Sequence, residues 1–309
     1  MTAAPTHPEQ NDRNAGHAGA PRAQPKAGSA SGPAVPHWLT GLGPLPLEPP
    51  LYLGIVNITP DSMSDGGRYL EPDAALARGR ELAARGAGVL DLGAESTRPG
   101  AAELTPEQEW ARLAPVLERL RAAQPGLPLS VDTRHAAVAE RALAAGAAIL
   151  NDVTGFSDPA MLAVARSGPW GLVAMRSRLA EGRLLMPDYT GPERPDGLAG
   201  TVRELAEVRD RLLAAGIAPE RILLDPGFGF GTSFLDDRAL WDALADLPRL
   251  LDWPVHRFCV AVSRKRFLAW RAGRRDLPPW ERDELTSRAH GEALALGYRV
   301  FRSHEIAEG

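Results

Sequence analysis

Cysteine is all but missing: Cys259 is the single one in 309 residues. That excludes an internal disulfide framework and any cysteine-built zinc or iron–sulfur centre. Long apolar runs are missing too. None approaches the ~18 residues of a membrane span, and the N-terminus lacks the basic-then-apolar pattern of a secretory signal. There is no large excess of one charge, since the formal net charge is −4. Bulk electrostatics therefore favour neither nucleic acid nor an anionic membrane as partner. The seven histidines show no HxxH or HxxxH spacing, so no zinc site is expected. No GxSxG elbow and no P-loop is present. A chain with 44% hydrophobic and 24% charged residues remains, able to bury a core and suited to the reducing cytoplasm.

Proline is concentrated at one end. Ten of the 28 prolines fall within residues 1–50, and up to His37 the rest is mostly small or polar. Such a stretch buries too little surface to offset its ordering entropy. Residues 1–37 are expected to form a disordered tail and 38–50 an ordered lead-in, with the folded domain spanning 51–309.

From Leu51 onward, short apolar runs alternate with amphipathic stretches. The runs are Leu51–Asn57, Val89–Gly93, Leu129–Asp132, Ile149–Val153, Gly171–Met175, Ile222–Asp225, Phe258–Ser263 and Tyr298–Arg302. Helical patterns lie between them at Asp73–Arg85, Pro106–Ala123, Ala136–Ala145, Pro159–Ser167, Thr201–Ala215, Arg238–Leu247 and Glu281–Leu296. This alternation predicts parallel strands covered on both faces. Eight of them in ~260 residues match a (β/α)8 TIM barrel, with an open doubly wound sheet as the competitor. Polar residues stand at or near the ends of seven of them, Asn57, Asp91, Asp132, Asn151, Asp225, Ser263 and Arg302, which a barrel would gather at one mouth. After Ile306 only Ala307, Glu308 and Gly309 follow. Seven helices and no full eighth are therefore expected. The face left on strands one and eight would fall to the lead-in, a partner subunit or nothing.

Asp132, Asn151 and Asp225 are embedded in runs of Val, Ile and Leu, where an unpaired carboxylate is costly. Internal pairing to backbone amides or arginines satisfies any one of them. Three together at strand ends also fit a ligand rich in N–H groups, such as a 2-aminopyrimidinone edge, with Lys265 placed to meet its carbonyl. Asn57, Arg98, Lys265, Arg302 and His304 form a second set, suited either to a phosphate group or to surface ion pairs. The run Asp225–Gly231 lacks dinucleotide-binding spacing. Its glycines are expected to let the backbone approach a flat ligand closely.

The stretch Gly54-Ile-Val-Asn-Ile-Thr-Pro-Asp-Ser-Met-Ser-Asp-Gly-Gly67 resembles the first signature of the dihydropteroate synthase family. Asp91-Leu-Gly-Ala-Glu-Ser-Thr-Arg-Pro-Gly100 resembles the second. Ser130–Thr133, Asn151–Gly155, Asp225–Gly231 and Ser263–Lys265 follow in family order, so the likeness runs from Leu51 to Ile306. The resemblance implies a TIM barrel and a transferase of folate biosynthesis. The implied reaction condenses 6-hydroxymethyl-7,8-dihydropterin diphosphate with 4-aminobenzoate to 7,8-dihydropteroate and diphosphate. It implies that Asp132, Asn151, Met175, Asp225, Phe230 and Lys265 hold the pterin. Ser62, Met63, Thr97 and Ser263 would border the aminobenzoate, and Asn57, Thr97, Arg98, Arg302 and His304 the diphosphate. Asp65, Lys265 and Arg302 would serve the chemistry, Mg²⁺ would be the cofactor with Asn57 as its ligand, and a homodimer is implied as a possible assembly. The chain departs from the pattern at Met63, Thr232, Arg176 (commonly His) and the Arg302–Ile306 stretch. A pterin-binding homologue without catalysis and a pterin-dependent methyltransferase stay open as alternatives.

Overall fold

The computed structural model describes residues 35–58, 72–95, 103–180 and 183–306. The tail expected at 1–37 lies outside them except for its last three residues, and His37 opens the first strand rather than closing a tail. A hairpin of β1 (His37–Thr40) and β2 (Gly43–Pro46) pairs antiparallel through a turn at Gly43, where φ is +99°.

The barrel strands and helices then alternate. In order they are β3 (Leu51–Asn57), α1 (Pro72–Ala84), β4 (Val89–Gly93), α2 (Pro106–Ala123), β5 (Leu129–Asp132), α3 (Ala136–Ala144), β6 (Ile149–Asp152), α4 (Pro159–Arg166) and β7 (Gly171–Met175). A two-residue hairpin pair, β8 (Leu179–Ala180) and β9 (Arg183–Leu184), precedes α5 (Gly197–Ala214). The chain continues with β10 (Ile222–Asp225), α6 (Phe234–Asp242), α7 (Leu247–Leu250), β11 (Cys259–Val260), α8 (Arg266–Arg271), α9 (Asp283–Ala295) and β12 (Val300–Ser303).

Eight of these strands form one parallel sheet in the order β10-β7-β6-β5-β4-β3-β12-β11. A parallel bridge between Leu224 and Phe258 joins its two ends, so the sheet closes into a barrel. The helices pack outside on a core that includes Leu82, Leu117, Val138, Leu205, Leu240 and Phe267.

Local chemistry fixes several boundaries. Thr105 and Gln108 form a capping box that starts α2 with Pro106 in its first turn. Asp158 caps α4 by accepting from the Ala160 N–H at 2.8 Å. Ser233 and Asp236 cap each other and begin the sixth helix at Phe234, four residues before the expected Arg238; the chain then breaks and resumes as α7. The seventh strand keeps only two of its expected residues, because the chain turns at Ser263–Arg264, with Arg264 at φ +58° and the Lys265 N–H on Val262 O at 3.1 Å. Helix α8 follows that turn and has no counterpart in the sequence pattern. Among the described residues no helix follows β12, and none is long and apolar enough to cross a membrane.

Side chains alternate in and out along each strand. Leu53, Val89, Ile149, Val173, Leu223, Cys259 and Val300 face inward as one apolar layer. The lead-in joins this layer: Trp38 and Leu47 belong to the same cluster, and Trp38 Nε1 donates to Arg221 O at 2.9 Å. It therefore plugs the base of the barrel instead of covering the flank of its first and last strands. Replacing Trp38 with Ala is expected to cost ~3–5 kcal/mol of stability, the range for emptying a buried aromatic site. Urea unfolding measures it, and a loss below ~1 kcal/mol would show that the hairpin is not part of the core.

Candidate active site

The same alternation builds the site. Two residues beyond the apolar layer, the inward positions are Ile55, Asp91, Asn151, Met175, Asp225, Ala261 and Arg302. On β5 the corresponding strand end is Asp132. Two residues further stand Asn57, Gly93, Val153, Ser263 and His304, which rim a cavity of about 280 Å³ at the C-terminal end of the strands. The polar strand ends legible in the sequence are therefore the floor and rim of one cavity.

Arg302 organises the floor. Its Nε donates to Asp91 Oδ2 at 2.6 Å and its Nη2 to Asp132 Oδ2 at 2.7 Å. Asn151 Nδ2 donates to Asp91 Oδ2 at 3.1 Å. Asp91 is fully buried, and its Oδ1 has no hydrogen-bond partner among the described residues. Burial works against the Arg302 charge, but Asp91 and Asp132 more than offset it, leaving the guanidinium pKa above its ordinary value. Burial pushes the Asp132 carboxyl up to about 7, opposed by Arg302 and reinforced by Asp91.

Asp225 and Lys265 form the opposite side. Asp225 Oδ1 accepts from the Gly227 N–H at 2.9 Å. Its pKa is raised by burial and held back by Lys265. Lys265 Nζ donates to Phe228 O at 2.5 Å and stands 4.7 Å from the centre of the Phe230 ring. Burial lowers its pKa against the pull of Asp225 and Asp237. At the rim, His304 Nδ1 and Ser263 Oγ are 3.0 Å apart, and the His304 N–H donates to the same oxygen at 3.0 Å.

The structure brings Asn57, Asp132, Asn151, Met175, Asp225, Phe230, Ser263, Lys265, Arg302 and His304 into this one cavity. Ser62, Met63, Asp65, Thr97 and Arg98 lie outside the described residues. Two readings change. Arg302 stands among the carboxylates rather than in a separate cationic group, so Asp132 is internally paired. In the Asp225–Gly231 run, Gly227 serves the protein's own backbone: its φ is +74°, and a Cβ there would lie 1.8 Å from Arg176 O.

Sequence reasoning gave no role to Asp91, although it opens the second signature, nor to Glu95 and Arg134. Glu95 accepts from Arg134 Nε at 3.1 Å and from the Leu104 N–H at 3.1 Å, tying together the two sides of the segment between them. Arg264 and Arg78 both reach Glu305, at 3.2 and 2.6 Å, and Arg78 also donates to His304 O.

Asp91→Ala removes the anion shared by Arg302 and Asn151. Breaking a buried pair this way is expected to cost ~3–5 kcal/mol, with Asp91→Asn less damaging because its oxygen still accepts. Thermal unfolding of both variants is the check, and equal stability of Asp91→Ala and wild type would refute the central role of this pair.

The family model described as pterin binding enzyme matches residues 53–304. Dihydropteroate synthase of Neisseria meningitidis serogroup C is 37% identical over 279 residues, 87% of this chain and 92% of the relative. That of Mycobacterium leprae is 39% identical over 269 residues, 84% and 90% of the two chains. Among solved structures, the Xanthomonas albilineans enzyme with 4-aminobenzoic acid superposes with a TM-score of 0.75 at 40% identity, covering 89% of this chain and 94% of that one. The Burkholderia cenocepacia enzyme complexed with 7,8-dihydropteroate gives 0.72 at 36% identity, covering 88% and 92%. With its barrel, its cavity and these relatives in agreement, the chain belongs to the dihydropteroate synthase family of pterin-binding enzymes.

Proposed function

We infer that this chain is a working dihydropteroate synthase, a transferase that joins 6-hydroxymethyl-7,8-dihydropterin diphosphate to 4-aminobenzoate with release of diphosphate. The observation that carries the reading is the polar floor itself. Asp132, Asn151, Asp225 and Lys265 converge on a cavity bounded by Met175 and Phe230. Carboxylates accept from an amino group and ring N–H, an amide offers both donor and acceptor, and an ammonium meets a carbonyl. A 2-amino-4-oxo pterin ring has this complement, and Met175 and Phe230 offer it apolar contact. Arg302 adjoins Asp132 at the floor, and His304 and Asn57 stand at the rim beyond it, where the diphosphate would extend.

In the reaction, the bond between the exocyclic carbon and the diphosphate oxygen breaks, and the amine of 4-aminobenzoate bonds to that carbon with loss of a proton. The reduced ring stabilises positive charge on the carbon. The protein's task is to orient the ring, neutralise the leaving group and exclude water. Among the described residues no three His, Cys, Asp or Glu side chains are grouped to hold a metal ion. An amide oxygen of Asn57 beside diphosphate oxygens and water suits hydrated Mg²⁺, which would supply charge neutralisation there. Within the same proposal, Ser62, Met63, Thr97 and Ser263 border the aminobenzoate, Thr97 and Arg98 contact the diphosphate, and Asp65 supports the developing cation. A cytoplasmic setting and a homodimer belong to it as well. The single, buried thiol of Cys259 suits the former, and the exposed Trp280 and Leu296 offer apolar contact for the latter.

Incubation with the pterin diphosphate, 4-aminobenzoate and Mg²⁺ should release diphosphate and form dihydropteroate. Pterin binding without turnover would instead identify a binding homologue. Asp132→Asn places an amide where the ring needs an acceptor, and a loss of ~2–5 kcal/mol in pterin binding is expected by calorimetry. The wild-type carboxyl, with its pKa near 7, accepts fully only when deprotonated. Pterin affinity should therefore rise with pH through about 7 and then level. The Asn variant should lose that rise, and an unchanged profile would remove Asp132 from the site.

A further inference from the structure

Asp225 closes β10 and faces the cavity, but the Gly227 N–H already occupies its Oδ1 at 2.9 Å. The direction of the carboxylate therefore follows the backbone of Pro226 and Gly227. One side chain grips that backbone. Arg176 Nε donates to Pro226 O at 3.0 Å, and its Nη2 reaches Gly227 O at 3.4 Å. Its Nη1 turns the other way, to Glu204 Oε2 on α5 at 3.1 Å. The main chain of Arg176 presses on the same turn. Its N–H donates to Asp225 O at 3.0 Å, and its carbonyl leaves room for nothing larger than glycine at position 227.

Arg176 is 1% exposed and does not line the cavity. A buried guanidinium is tolerated only when its donors are satisfied. Here the planar fork is directed at two successive carbonyls and one carboxylate, an arrangement that needs Arg rather than Lys. The histidine that the family resemblance places here carries at most one donor when neutral. Glu204 is itself held by Arg194 at 2.7 Å, so the clip is anchored to the helical layer.

We propose that Arg176 is a positioning residue for the pterin: it aims the Asp225 carboxylate at the ring N–H groups without touching the ligand. This rests on the reading that the pterin sits over Asp225. The test is calorimetric titration of 6-hydroxymethyl-7,8-dihydropterin into wild type, Arg176→Lys, Asp225→Asn and the double variant. Lysine keeps the charge but loses the fork. Arg176→Lys should weaken pterin binding by about tenfold or more and leave the KM for 4-aminobenzoate within about twofold. In the Asp225→Asn background the same change should add nothing, since the two residues act as one unit. Glu204→Gln, which leaves Arg176 in place, supplies a second variant if the lysine protein does not fold; its smaller loss should also vanish in that background. Additive losses, or wild-type affinity in both variants, would overturn the positioning role alone. Absence of pterin binding to the wild type would overturn it together with the functional reading.

Discussion

The ion pair of Arg302 with Asp91 and Asp132 spans three strands that sequence keeps far apart, with separations of 211 and 170 residues. Removing these groups from water is unfavourable unless the two carboxylates reach the guanidinium they share, so this layer is acceptable only when β12, β3, β4 and β5 are in register. A slip of one residue would turn Arg302 or Asp91 outward into the apolar layer beneath the helices. The register of these four strands and the shape of the cavity floor are thus one condition. A ligand that reaches Asp132 must share that carboxylate with Arg302.

Around this pair the protein repeats one device, in which an arginine from one element fixes the backbone or carboxylate of the next. Arg264 holds Asp283 at 2.7 Å and reaches Glu305, which Arg78 on α1 and Arg85 just beyond it also approach. Together they fix the end of β12 that carries His304. Arg134 does the same for Glu95. The rim residues are therefore set by partners behind them, as positioning of a reacting group requires.

Much of the fold was legible because buried parallel strands read as unbroken apolar runs. Leu51–Asn57, Val89–Gly93, Leu129–Asp132, Gly171–Met175 and Ile222–Asp225 begin and end where the runs do. Failures came where length or tertiary contact decides. Helix α8 has six residues, too few for a period to show. The β1–β2 hairpin has no apolar alternation of its own and is ordered through Trp38. For the site, strand-end polarity pointed to positions that the fold gathers into one cavity, but pairing was hidden. Nothing local to Asp91 or Arg302 shows that they meet, and nothing local to Arg176 shows that it grips residues 226 and 227.

The plug of Trp38 and Leu47 makes the barrel a blind-ended vessel. With its base sealed by an apolar layer, every molecule must enter and leave by the mouth at the C-terminal ends of the strands. On the proposed reading the pterin lies deepest, over Asp132 and Asp225, and the second substrate lies above it near Ser263. Occupying the outer position first would bar the inner one. The topology therefore imposes a queue: the ring that goes in first is the last part of the joined product to come out, and dihydropteroate has to withdraw whole along its own length.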